Sequence, residues 1–435
     1  MAGENKKILI IVYYWPPSGG SGVQRWVKLA KYLVEQGIQV HVLTVDEKYA
    51  SYLQTDLSLA QEVHPDIQVV RTRSFEIINV FARIFGKNKI PTAGFYNLDR
   101  KSIVHNLGLI IRSNFFIPDP RRGWNYFAFR KACEIIKKEG ITKVITSSPP
   151  HSSQLIGFKL KKKFGVEWIA DLRDPWTDIF YYGLLRHSFL SRRIDRHYEQ
   201  TVLKNADICF TVSQKLKEIF IAKDDHIDPG KFHIIPNGYD EGDFEDVGKS
   251  EQGKDFVIGY TGTISDQYEP WVFLKAFSNL VHHSLGKVSL EITGTASPAI
   301  ASFAEKLGIR DHISINPPVP HNEIPGLLVR KSVLLLVIPR VDNADLILTG
   351  KLFEYLASRR PVILIGPKNG DAANILQECG SGYSFDWDAE IEITQHLLML
   401  KDQHERGLLF NPKNAILNKY SRRNQAKEIE KLLFE

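Results

Sequence analysis

The sequence predicts an α/β chain of two doubly wound parallel-sheet units in succession. Three observations carry this. Ile8 to Val12 is an unbroken apolar run, as in a strand buried on both faces. A glycine-rich turn, Ser18-Gly19-Gly20-Ser21-Gly22, leads from it into a helix and a second strand at Val40 to Thr44. The same design returns at Val257 to Tyr260, where Thr261-Gly262-Thr263 follows the strand. Beyond each start, short apolar runs alternate with helical stretches, the pattern of βαβ units.

The bulk properties leave room for this fold. The chain has 435 residues, enough for two or three domains, with 43% hydrophobic and 24% charged residues. Cys133, Cys209 and Cys379 are scattered without Cys-x-x-Cys spacing. That excludes a disulfide framework or a cysteine zinc site and fits a reducing cytosol. The opening MAGENKKILIIVYYW lacks the long apolar core and small-residue cleavage site of a signal peptide, and no run reaches a membrane-spanning length. Net charge is +6 but uneven: Arg71 to Gly140 holds fourteen Lys/Arg against five Asp/Glu. Such clustering suits an anionic partner or surface.

In order along the chain, Val23, Trp26, Val27, Ala30, Leu33 and Val34 form the apolar face of the first helix, which ends at Gly37. The glycines invite a Gly-x-Gly-x-x-Gly dinucleotide reading. Counted from Gly20, the third position is Arg25, so the fingerprint fails. Ile67 to Arg71 reads as a third strand. Residues 72–130 are basic and aromatic, and two readings stand: helices packed on the sheet, or an insert that binds an acceptor and meets an anionic bilayer. Within it, IPDPRRGW (Ile117 to Trp124) reads as a rigid loop with an exposed tryptophan, and Arg121 and Arg122 suit a phosphate or carboxylate.

Val144 to Ser147 is a strand, so the following SSPPHSS puts His151 at the C-terminal end of a parallel strand, where ligands bind. A lone histidine is more often structural than functional. Trp168 to Ala170 is a strand ending in DLRDPW, where Asp171, Arg173 and Asp174 form either an acceptor site or an internal ion-pair cluster. Ile208 to Val212 reads as the last strand of the first unit, and residues 245–254 read as a charged linker. In the second unit, strands are predicted at Val288 to Thr293, Ile313 to Ile315, Val333 to Val337 and Val362 to Ile365.

The run Ile347 to Pro367, ILTGKLFEYLASRRPVILIGP, concentrates the chemistry. Thr349 is placed to cap a helix beginning at Gly350. Lys351 and Glu354 leave the same face. A helix start with free amides, a positive dipole end and a lysine suits a diphosphate, and the carboxylate suits a ribose diol. The plain alternative is a capped surface helix with an ion pair. Asp386-Trp387-Asp388 precedes a helix and reads as a cap, so no metal site is assigned. No Gly-x-Ser-x-Gly, His-Glu-x-x-His or Walker loop occurs, and no nucleic-acid module is readable.

TGKLFEYLASRRPVILIG resembles the nucleotide-sugar motif of family-4 glycosyltransferases, and IPDPRRGW, SSPPHSS and ADLRDPWTD resemble a bacterial surface-polysaccharide branch of that family. The resemblance implies a GT-B fold, two Rossmann-like domains facing a cleft. The expected domains are 1–240, joined by a returning helix at 413–435, and a donor domain at 241–412. It implies transfer of a sugar, with retention, from a nucleotide diphosphate sugar to a lipid-linked or soluble glycan acceptor, without a cofactor and in the cytoplasm or on the inner membrane face. Same-fold rivals are a sugar-nucleotide 2-epimerase and a catalytically silent membrane-peripheral binding protein.

The implied donor residues are Gly20, Gly22, Gly262, Thr263, Val319 (within PPVPHNEIPGLL), Arg340, Thr349, Gly350, Lys351, Leu352 and Glu354. His151 would orient the sugar, beside Lys351 and Glu354 as the catalytic set. Arg121, Arg122, Trp124, Asp171, Arg173 and Asp174 would meet the acceptor. The family often has two glutamates eight positions apart. Here Glu354 matches the second, and Leu346 stands where the first would be. Asp266, Gln267 and Glu269 stand where a phosphate-gripping arginine is common, and Lys351 and Arg340 are assigned its charge.

Overall fold

The computed structural model describes residues 6–52, 55–76, 110–245, 247, 253, 255–284, 286–408, 410 and 412–435. The basic stretch between Arg71 and Gly140 therefore lies partly outside the described residues, as does most of the expected linker. The chain divides into two compact units, Met1–Asn237 with Gln425–Glu435, and Gly238–Asn424.

The first unit is a parallel sheet in the order β3-β2-β1-β4-β5-β6-β7. Its strands are β1 (Lys7–Ile11), β2 (Gln39–Val45), β3 (Gln68–Thr72), β4 (Lys143–Ser148), β5 (Glu167–Leu172), β6 (Ile208–Thr211) and β7 (Phe232–Ile234). Alternation along β1 feeds two cores, because successive side chains take opposite faces. Ile8 and Ile10 pack with Trp26, Val27 and Leu33 of the helix α1 (Ser21–Glu35), and with Ala426, Ile429 and Leu433 near the C-terminus. Leu9 and Ile11 pack with Trp124, Ala128, Ala132 and Ile136 on the other face. Burial of each such large aliphatic side chain stabilises by about 1.5–3 kcal/mol.

One expectation is corrected here. Ile208–Thr211 is not the last strand, since Phe232–Ile234 adds β7 beside it, pairing Cys209 with Phe232 and Thr211 with Ile234. Three residues are too few for a periodic signal, and tertiary pairing decides their conformation.

The second unit is a parallel sheet in the order β10-β9-β8-β11-β12-β13. It comprises β8 (Phe256–Thr261), β9 (Val288–Thr293), β10 (Ile313–Asn316), β11 (Val333–Val337), β12 (Val362–Ile365) and β13 (Gly382–Phe385). β11 and β12 are near-continuous apolar runs with every residue buried, as a sheet covered on both faces requires. In each unit the first strand lies between two neighbours reached in opposite directions: β1 between β2 and β4, and β8 between β9 and β11. The crevice outside such a reversal is where open α/β sheets bind ligands. It places the Gly20 and His151 loops together in one unit. In the other it joins the Gly262 loop to the segment after β11.

Candidate functional site

The second unit builds its site on the helix α2 (Gly350–Ser358), which follows β11. Leu352, Phe353 and Leu356 anchor the helix in the core, which fixes the position of its first turn. The amides that open the helix carry the positive end of the dipole, and those of Gly350 and Lys351 precede its first internal hydrogen bond. Thr349 has the extended backbone of an N-cap, and its carbonyl accepts from Leu352 N at 3.2 Å. Its hydroxyl, expected to cap the helix, instead makes no hydrogen bond and is buried.

Lys351 reaches back to the β8 loop. Its Nζ donates to the Tyr260 hydroxyl at 2.8 Å and lies 4.4 Å from the centre of that ring. Burial pulls its pKa down to about 8, against the opposing field of Glu354. Tyr260 in turn donates to the Thr263 carbonyl at 2.7 Å, and the Tyr355 hydroxyl accepts from Thr261 N at 3.0 Å. Loop and helix start are thus pinned together. The contact needs glycine. Gly262 has φ +95, and a Cβ there would lie 2.7 Å from Lys351 Cε. Gly294, with φ +141, lies beneath it, where a Cβ would come within 2.2 Å of the Gly262 carbonyl oxygen.

Glu354 is paired with His321, whose Nε2 lies 3.1 Å from Oε1. Burial lowers the His321 pKa, but the hydrogen bond and charge of Glu354 outweigh it, so the imidazole is held above its ordinary value. His321 belongs to the loop that carries Val319, which is half-buried.

Two expected donor residues have side chains that are already engaged. The Leu352 side chain is fully buried in the core. Arg340 is exposed and already paired: its guanidinium meets both oxygens of Asp388, at 3.0 and 3.2 Å, 5.6 Å from the Trp387 ring. The Asp386 carboxylate accepts from Trp387 N, and Ala389 takes the N-cap position of the next helix without a side-chain cap bond, so neither aspartate caps it. Among the described residues no three His, Cys, Asp or Glu side chains gather as a metal site.

The first unit has a different character. Gly20, with φ 104, stands at the N-cap of α1. A Cβ on Gly22 would fall 2.2 Å from Arg173 Nη1, so the guanidinium lies against the glycine backbone. Arg173 Nε also donates to the Ser148 carbonyl at 3.0 Å. Asp171 is fully buried and saturated. Its Oδ1 takes Arg25 Nη2 at 2.9 Å, while Oδ2 takes Trp26 Nε1 at 2.8 Å and Ser147 Oγ at 2.6 Å. Arg25 Nη1 completes the cluster by donating to the Pro236 carbonyl at 2.6 Å. Asp171 is therefore an internal ion pair and not an acceptor contact. Asp174 is half-buried, and burial raises its pKa against the pull of Arg173.

His151 stacks on Trp176, with ring centres 4.6 Å apart and planes 17° from parallel. Its Nδ1 is buried without a partner. Burial, then the charges of Arg173 and Lys223, press its pKa down to about 3, so the ring is neutral at physiological pH. Trp176 is itself held by Asp195, which accepts from its Nε1 at 2.8 Å. Asp119 also supports the loop: its carboxylate accepts from Ser152 N at 2.7 Å and Ser152 Oγ at 2.9 Å.

The IPDPRRGW loop thus acts inward. Trp124, expected to be exposed, is fully buried, and its Nε1 donates to Thr72 Oγ1 at 2.8 Å. Arg121 is buried and donates to the Ser51 carbonyl at 3.2 Å. Only Arg122 is exposed, held by the Ile117 carbonyl at 2.8 Å and the Tyr198 hydroxyl at 3.2 Å. His321, Tyr260, Trp176 and Asp119 were missed by sequence reasoning. A histidine inside PPVPHNEIPGLL and a tyrosine just before a Thr-Gly-Thr turn were the available signals.

The description Glycosyltransferase Family 4 matches residues 20–242. Among solved structures the chain is similar to the Anabaena protein HepE in complex with UDP, at 12% identity and TM-score 0.64, over 98% of this chain and 99% of that one. A glycosyltransferase from Rickettsia africae aligns at 14% identity and TM-score 0.60, over 99% and 98%. The sucrose-phosphate synthase of Thermosynechococcus elongatus aligns at 14% identity and TM-score 0.62, over 98% of each chain. At these identities the likeness shows the fold, which is GT-B. No curated protein matches the sequence.

Proposed function

The chain belongs to glycosyltransferase family 4, and on that premise we propose how its residues divide the transfer of a sugar from a nucleotide diphosphate sugar. The observation that carries the proposal is the start of α2: open first-turn amides, with Lys351 packed against the Gly262 loop. Charge develops on the departing diphosphate, and groups already fixed there stabilise it without reorganising. Lys351, the Gly350 amide and the Thr263 amide take that role, while the Gly262 amide is held by the Thr293 carbonyl at 2.8 Å. Glu354 accepts from the ribose hydroxyls once they replace His321. His151 is neutral, with a free Nδ1, and hydrogen-bonds a sugar hydroxyl without repelling a developing positive centre. Arg173 and Asp174 are the first-unit side chains proposed to meet the acceptor, with Arg122 beyond them.

Transfer proceeds with retention. No carboxylate is assigned as nucleophile, so the acceptor attacks from the face of the leaving phosphate, whose oxygen takes its proton. The acceptor is a lipid-linked glycan met at an anionic membrane surface, a reading supported by the charge of Arg71 to Gly140. Among the described residues no helix is long and apolar enough to cross a membrane.

A thermal-shift screen of UDP-, GDP- and ADP-sugars tests the donor site, since a ligand that binds only the folded state raises its melting temperature. UDP comes first because the Anabaena relative was solved with it. Slow donor hydrolysis by purified protein is expected. No shift with any nucleotide sugar, and no hydrolysis, would overturn the reading.

A further inference from the structure

Four exposed apolar side chains of the first unit lie on segments that are tied together by hydrogen bonds. Phe189 is 82% exposed, Leu190 65%, Phe115 75% and Leu184 53%. Phe189 and Leu190 open a seventeen-residue helix, Phe189–Asn205, whose inward face is Ser191, Asp195, Glu199 and Val202. Phe115 ends the helix at 110–115.

The two segments are riveted by one side chain. Asn114 Oδ1 accepts from Ser188 N at 2.7 Å and from Ser191 Oγ at 2.9 Å, and Asn114 Nδ2 donates to the Arg186 carbonyl at 2.9 Å. His187 Nδ1 adds a bond to the Ser113 carbonyl at 2.8 Å. The face is therefore preformed.

Its charge has one sign. Arg186, Arg192, Arg193 and Arg196 are all exposed. Residues 182–194 and 110–118 contain no Asp or Glu at all. Phe189, Arg192, Arg193 and Arg196 share one face of the helix, by their three- and four-residue spacing.

We propose that this face docks on the surface of an anionic lipid bilayer. Phe189, Leu190 and Phe115 enter the boundary between headgroups and acyl chains, and the arginines of the next turn take the headgroup phosphates. Aromatic and aliphatic tips followed one turn later by arginines match the two layers of a leaflet. The leaflet phosphates meet the guanidiniums of Arg186, Arg192, Arg193 and Arg196, while Asp178 and Glu199, which share a cleft with Arg192 and Arg196, are paired with Lys223. The inference deepens the membrane part of the proposed function and extends its contact from the basic stretch that suggested it to the helix that begins at Phe189.

The test is sedimentation of the full chain with vesicles of phosphatidylglycerol and phosphatidylethanolamine, against vesicles of phosphatidylcholine alone. Wild type is expected to bind the anionic vesicles, bind the neutral ones weakly, and release in high salt. The double variant F189S/L190S should lower the bound fraction about tenfold or more, and R192Q/R193Q should lower it about tenfold and flatten the salt dependence. Both should keep wild-type melting temperature and donor hydrolysis, which separates lost docking from lost folding. Wild type that binds neither vesicle overturns the membrane reading as a whole. Variants that bind anionic vesicles as wild type does overturn this face alone. A lipid-free dimer that F189S/L190S converts to monomer would assign the face to a second copy and overturn the proposal as well.

Discussion

The two sheets share a design but treat their charges oppositely. In the first unit the charged groups nearest the glycine turn are spent on the protein: Arg25, Asp171, Trp26 and Ser147 saturate one another out of contact with solvent. In the second unit the corresponding turn meets a lysine whose ordinary pKa burial has lowered, a hydroxyl without a partner and a carboxylate held by one histidine. The first arrangement fixes a backbone, and the second leaves groups ready to exchange partners. Polar residues at a strand end therefore mean different things according to where their hydrogen bonds already go.

The largest effect should come from breaking the saturated cluster. Asp171→Asn leaves the buried Arg25 charge uncompensated and should cost about 3–5 kcal/mol of stability. Denaturant unfolding reads it directly. A loss under 1 kcal/mol would mean the cluster is not the structural device described. On the other side of the comparison, Glu354→Gln should leave stability nearly unchanged while weakening UDP binding by about 1.5–3 kcal/mol, the scale of hydrogen bonds to a charged group. Equal affinities in calorimetry would remove Glu354 from the donor site.

Much of this contrast was open to sequence reading, and its limits are instructive. Apolar runs such as Ile8 to Val12 and Val333 to Val337 announce strands because a doubly covered sheet demands them. The glycine turns announce the crevices. What stayed hidden were partners distant in sequence. Nothing local to Trp124 says that its indole finds Thr72, and nothing local to Asp171 says that Arg25 will be its counter-ion. Arg340 looked like spare charge because Asp388 is 48 positions away. The His321–Glu354 contact, 33 positions apart, was hidden for the same reason.

A smaller effect should come from pH. Lys351 is charged below its pKa of about 8, so UDP affinity should fall as pH rises through that value. The free protein should show the opposite sign. Between about 8 and the ordinary 10.5 the unfolded chain holds a proton that the folded lysine has lost, so this group makes stability rise with pH. Flat affinity from pH 7 to 9.5 would break the link between Lys351 and the diphosphate. The smallest expected effect is none: activity should persist in excess EDTA, because the second unit supplies its positive charge from Lys351 and helix amides. Activity lost in chelator and restored by Mg²⁺ would show that those groups do not suffice.

Attempts to stiffen this enzyme by exchanging loop glycines for alanine will meet the stack of Gly294, Gly262 and Lys351. A methyl group on either glycine is driven into the layer above it, first the carbonyl of Gly262 and then the lysine stem. Neither position has the negative φ at which alanine would rigidify the unfolded chain to advantage. The same stack constrains descent. A relative that dispensed with Lys351 would still have the positive φ of both glycines and the Gly262 carbonyl against Gly294, so the two glycines should outlast the lysine.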